Sequence, residues 1–132
     1  MDRTEKALEL RRKGYNCAQS VVCAFSDDVD VDEEVLFKIA EGFGTGMGGM
    51  QQACGAIVGA VMLNGLLNSS GEANTGSLAK TLGVSRQLTQ AFHERNGSTV
   101  CKELKGTETG KALRSCNDCI AEATKLVEEM VL

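Results

Sequence analysis

The sequence contains no proline and no tryptophan, and its aromatic residues are one tyrosine and four phenylalanines. So few rings leave little for stacking on nucleic-acid bases. No basic run exceeds Arg11-Arg12-Lys13, and 14 Lys+Arg stand against 18 Asp+Glu, a net charge of −4. A nucleic-acid partner would need a clustered basic face, so none is expected. The opening Met1-Asp2-Arg3-Thr4-Glu5-Lys6 lacks the apolar segment of an export signal, which points to the cytoplasm. No charged residue lies between Glu41 and Glu72, yet the strongly apolar part, Ala53 to Leu63, is interrupted by Gly55 and Gly59 and followed by Asn64. That falls short of the ~20 apolar residues of a spanning helix. A central helix buried on all sides accounts for it, and no membrane span is expected.

Strand signals are absent as well: no period-two run is bounded by turns. What is present is helical periodicity. Thr4 to Lys13 carries helix formers and stops at Gly14. Asn16 can cap a second helix with Cys17, Val21, Ala24 and Phe25 on one stripe. Asp30 or Asp32 opens a third, with Val31, Val35, Leu36, Ile39 and Phe43 on its inner face. A glycine loop from Gly42 to Gly49 leads into the uncharged helix, about Met50 to Leu67. Cys54, Ile57, Val58, Val61 and Met62 form one face of that helix, and Gly55 and Gly59 a groove for another backbone. Leu78, Leu82, Leu88 and Phe92 support one helix or two, with Gly83-Val84-Ser85 as the break. Ser98 starts a short helix ended by Lys105-Gly106. A last helix follows Ser115, with Cys116, Ile120, Ala123, Val127 and Met130 as its stripe. The 132 residues fit one domain, an all-α bundle of five to seven helices around a buried, uncharged central helix.

Six cysteines in a chain this rich in aliphatic residues do not read as disulfide staples, which suit smaller secreted scaffolds. Cys17, Cys54, Cys101 and Cys116 each fall near a helix start, where free N–H groups favour the thiolate. Each also leads the apolar stripe of its helix and should point inward. Cys23 lies ~120° from Cys17 on the wheel and reads as a spare thiol. Cys119 completes Cys116-Asn117-Asp118-Cys119, a redox pair or half a metal site.

Other motifs are missing. CxxCH for haem fails at Ile120, and the second knuckle of a zinc finger or ribbon is absent. Gly44-Thr45-Gly46-Met47-Gly48-Gly49 fits GxGxxG but follows a helical stripe rather than a strand. Gly46, Gly48, Gly49 and Gly55 could instead offer backbone N–H groups to an anion beside Cys54. His93 reads as a solvated helix position, and Tyr15 as packing near Cys17.

The chain resembles the redox-active bacterial and archaeal proteins named for a C–GCAxxG–C–C signature. The matching pieces are Gly14-Tyr15-Asn16-Cys17-Ala18-Gln19-Ser20-Val21, the glycine loop, and Cys54-Gly55-Ala56-Ile57-Val58-Gly59-Ala60 with Gly65-Leu66-Leu67. Further on come Phe92, Gly97 through Cys101 to Leu104, and Cys116 with its downstream helix. The resemblance implies Cys17, Cys54, Cys101 and Cys116 as the family cysteines, with Cys23 and Cys119 as additions. It implies redox activity without a defined substrate or redox partner.

The leading expectation is oxidoreductase-type dithiol–disulfide chemistry or electron transfer by these four thiols, with Cys54 central. A second is that they hold an iron–sulfur cluster or zinc, with Cys119 as a further ligand. A third is a non-catalytic helical protein, with the Gly55/Gly59 helix exposing a homodimer face.

Overall fold

Asp2 accepts a 2.8 Å hydrogen bond from the Glu5 amide and opens α1, Arg3–Arg12, which ends just before Gly14 at φ +106°. The computed structural model describes residues 2–73 and 76–132. Among these, six more helices follow: α2 Cys17–Cys23, α3 Glu33–Glu41, α4 Gly55–Asn68, α5 Ser77–Asn96, α6 Cys101–Lys105 and α7 Cys116–Met130. No strand forms among the described residues, and one isolated antiparallel bridge joins Ala53 to Val100. The architecture is all-α, a helical bundle.

Two caps are fixed by side chains next to the cysteines. Asn16 forms a capping box with Gln19, accepting from the Gln19 amide at 3.0 Å while its own amide donates to Gln19 Oε1 at 2.9 Å. Its Nδ2 also donates to the Glu41 carbonyl at 2.9 Å, tying α2 to the end of α3. Asn16→Ala is expected to cost about 1–2 kcal/mol, lowering the midpoint of thermal unfolding by roughly 4–10 °C in a circular-dichroism melt. An unchanged melt would show that the cap carries no weight. At the other end, Ser115 accepts from the Asp118 amide at 3.0 Å and starts α7.

The uncharged α4 is central, packed against α2, α5 and α7. It begins at Gly55 rather than Met50; Met50 is 71% exposed and Cys54 is the N-cap. Its buried face is Ala56, Ile57, Gly59, Ala60, Leu63 and Asn64, while Val58, Val61 and Met62 are half-buried and Leu66 reaches the surface. The small residues meet α2. A Cβ on Gly59 would lie 3.0 Å from the Ala18 carbonyl oxygen and 3.2 Å from Val21 Cβ and Val22 Cγ2. The Gly55/Gly59 groove is therefore filled inside the chain by α2.

Two sequence expectations are corrected. The inner face of α3 is Leu36 and Ala40, whereas Val35 and Ile39 are exposed. Gly83-Val84-Ser85 does not break α5, which runs unbroken for 20 residues. Ser85 serves another purpose: with the Thr81 carbonyl it accepts from Nδ2 of the buried Asn64, each at 2.9 Å, docking α5 on α4. Leu78 and Leu82 stay exposed, while Leu88 and Phe92 enter the core. No helix among the described residues is long and apolar enough to cross a membrane.

Candidate functional site

Four local devices converge the cysteines. Cys17 is the first residue of α2, directly behind its cap. Gly55 at the start of α4 lies against it: an added Cβ would sit 3.1 Å from both Cys17 Cβ and the Ala18 nitrogen. That close approach sets Cys54 beside Cys17. The Ala53–Val100 bridge then sets Cys101 beside Cys54, because the Cys54 amide donates to the Thr99 carbonyl at 2.8 Å and the Cys101 amide to the Gln52 carbonyl at 2.6 Å. Gly46, at φ +67°, folds the glycine loop over this pair; a Cβ there would lie 2.8 Å from Cys101 Cβ. Finally the Leu104 carbonyl accepts from the Leu113 amide at 2.9 Å, tying the end of α6 to the entry of α7.

The outcome is a cavity of about 20 Å³, room for about one water, lined by Cys17, Cys54, Cys101, Cys116 and Cys119. The fifth thiol is the surprise. Cys119 is buried, more so than Cys116, because residues three apart share a helix face and α7 turns that face inward. The CxxC spacing at a helix start was the available signal. Gly46, Gly55, Leu104, Lys105 and Arg114 complete the lining. Gly48 and Gly49 lie off the cavity, and the Gly49 amide bonds back to the Gly44 carbonyl at 3.2 Å. Cys23 is fully buried away from the cavity, where burial raises its pKa to about 11. His93 is exposed, and Tyr15 packs edge-on against Phe37 at 5.0 Å rather than over a thiol.

The thiols act on one another's ionisation in two pairs, Cys17 with Cys116 and Cys54 with Cys119. Within each pair one sulfur favours the thiolate and the other keeps its proton. Cys116 is lowered to about 6 by the bond from Cys17, helped by the nearby charges of Lys105 and Arg11. Cys54 is lowered by Cys119, and by the amides of Ala56 and Ile57 in the first turn of α4. No full cap bond reaches its sulfur in this state, yet those N–H groups are the ones a thiolate draws in. Cys17 and Cys119 are raised, first by donating to their partners and then by burial. Burial also raises Cys101. A helix start thus does not by itself make a thiolate: Cys17 and Cys101 both open helices, and the donated proton or burial outweighs position.

A thiolate next to a protonated thiol is the arrangement thiol–disulfide exchange requires, one sulfur to attack and one to resolve. Among the described residues no group of three or more Cys, His, Asp or Glu side chains is arranged to hold a metal ion. Lys105 and Arg114 are cavity residues that the sequence reading did not single out; only the fold brings α6 and the approach to α7 together.

No curated protein and no solved structure matches the chain. One family model does, over residues 15–130, a span that takes in the whole cysteine cluster; its description is "Putative redox-active protein (C_GCAxxG_C_C)". The chain belongs to this C_GCAxxG_C_C family of redox-active proteins.

Proposed function

We propose that the protein carries out dithiol–disulfide chemistry in the cytoplasm, using Cys17, Cys54, Cys101 and Cys116 together with Cys119. One observation carries this reading: five of the six cysteines line a single small cavity and pair there across helices. Isolated packing thiols have no reason to share one cavity, and a small buried hydrophobe would fill any of these positions. Oxidation of each pair releases two electrons and two protons to an acceptor and forms one S–S bond, Cys17–Cys116 or Cys54–Cys119. Cys101, which lines the same cavity, would exchange with either pair. The reducing cytoplasm would return the protein to its dithiol form between turnovers.

The test is equilibration of the purified protein in dithiothreitol redox buffers, followed by alkylation and mapping of the linked peptides by mass spectrometry. Two disulfides with the stated partners are expected, formed in two-electron steps. Absence of any disulfide at oxidising poise would overturn the reading. So would iron, sulfide or zinc co-purifying under strictly anaerobic conditions in stoichiometric amount, since a cluster or zinc would then hold the thiolates instead.

A further inference from the structure

The charged residues lining the thiol cavity are Lys105 and Arg114, both basic, in a chain whose net charge is −4. The tie between Leu104 and Leu113 puts them on the same rim, one the last residue of α6 and one two residues before Cys116. Cys116 is the least buried of the five cavity thiols, so the rim where the cations stand is also the side from which a reactant arrives. Their charges are not fully spent within the protein. Arg114 donates from Nε to Asn96 Oδ1 at 3.0 Å and holds Glu122 only at 3.8 Å. Lys105 is exposed and has no ion pair among the described residues. The cavity, at about 20 Å³, cannot enclose more than a water. A reactant must therefore stay at the rim and present only its sulfur.

Resting on the dithiol reading above, we propose that the oxidant is a small anionic disulfide, one bearing carboxylates, seated by Lys105 and Arg114 and attacked by Cys116. The Cys116 thiolate attacks one sulfur of R–S–S–R, breaking that bond, forming Cys116–S–S–R and expelling one thiolate. Cys17 then attacks the Cys116 sulfur, forms the Cys17–Cys116 bond and expels the second thiolate. The two departing thiolates take up the two protons the cysteines gave up. The protein loses two electrons and the disulfide gains them. Opposite charge at the rim raises the local concentration of such a reactant, an effect that salt removes.

The experiment follows loss of protein thiols with three oxidants: 3,3′-dithiodipropionate, bis(2-hydroxyethyl) disulfide and cystamine, carrying negative, zero and positive charge. Each rate is divided by that oxidant's rate with 2-mercaptoethanol, which removes intrinsic reactivity. The dicarboxylate is expected to react about tenfold faster than cystamine in about 10 mM salt, the gap closing in about 1 M salt as the screening length falls from ~30 Å to ~3 Å. Lys105→Glu with Arg114→Glu should reverse the order, and the milder Lys105→Gln should narrow it if the double variant fails to fold. Equal normalised rates would overturn the anionic-disulfide inference and leave the dithiol reading standing. Variants that slow all three oxidants alike would also overturn it, because the cations would then act only on the thiolate. Failure of every oxidant to consume thiols would instead sink the dithiol reading itself.

Discussion

At pH 6, in a Cys54→Ser background that leaves no second lowered thiol, Cys116→Ser is expected to slow reaction with a small disulfide ~20-fold. The figure follows from two opposed effects. With a pKa of about 6, Cys116 is roughly half thiolate at that pH, while an ordinary thiol near 9 is ionised only to about one part in a thousand. The gain of ~500-fold is cut by ~20-fold because a less basic sulfur is a weaker nucleophile, with a Brønsted slope of about 0.4–0.5. The net advantage shrinks as pH rises, since ordinary thiols then ionise and Cys116 has nothing further to gain. A rate profile with its half-point near 6 in the Cys54→Ser background, absent once Cys116→Ser is added, is the signature. If Cys116→Ser leaves the pH 6 rate unchanged, Cys116 is not the attacking sulfur. Variants at Cys17 isolate the cause of the low pKa. The hydroxyl of Cys17→Ser can still donate to Cys116 and should keep the half-point low, whereas Cys17→Ala removes the donor and should move it upward.

The second large effect is on stability. Gly59→Val is expected to lower the free energy of unfolding by about 3 kcal/mol, because even a bare Cβ at this position stands 3.0 Å from the Ala18 carbonyl oxygen. Valine adds two methyl groups where Val21 and Val22 already close the gap, so α2 and α4 must separate or distort. Gly65 lies on the same helix with no heavy atom within 4 Å of its would-be Cβ. Gly65→Ala is therefore expected to move stability the other way, by up to ~1 kcal/mol, through helix propensity alone. Urea unfolding of the two variants checks both signs. A Gly59→Val protein with the parent's midpoint would mean that the crossing of α2 and α4 is looser than the structure shows. The pair also explains the spacing in Cys54-Gly55-Ala56-Ile57-Val58-Gly59: both glycines are one turn apart on the face that must receive the α2 backbone.

Features governed by a few neighbouring residues were legible in the sequence. Asn16, Ser115 and Gly106 mark helix ends where their local chemistry places them, whereas α2 has no solvent face at all: the bundle buries every residue from 17 to 25, Gln19, Ser20 and Cys23 with the rest. What failed depended on partners distant in the chain. Val35 and Ile39 have the right spacing for an inner face, but α2 covers the side that bears Leu36 and Ala40. Ser85 looked like a cap because its partner, Asn64, lies on another helix. Cys54, Cys101 and Cys116 were readable as helix starts, yet their convergence comes from the Ala53–Val100 bridge and the Leu104–Leu113 contact, which leave no local trace. The CxxC marked Cys119 as a candidate beside Cys116, but whether it turns both thiols inward depends on which face of α7 the bundle covers.

α7 supplies one sulfur to each pair, from consecutive turns of a single helix. Under the proposed pairing, a fully oxidised molecule has its C-terminal helix riveted at two adjacent points, once to α2 and once to the N-cap of α4. The larger ring, closed between residues 17 and 116, spans most of the chain, and a loop of about 100 residues carries about 4–5 kcal/mol of denatured-state restriction. The electron count of the site would thus be written into the durability of the whole fold: a full complement of electrons leaves α7 held by packing and by the ion pairs of Glu122, Glu128 and Glu129, and an emptied one makes it the clasp of the bundle.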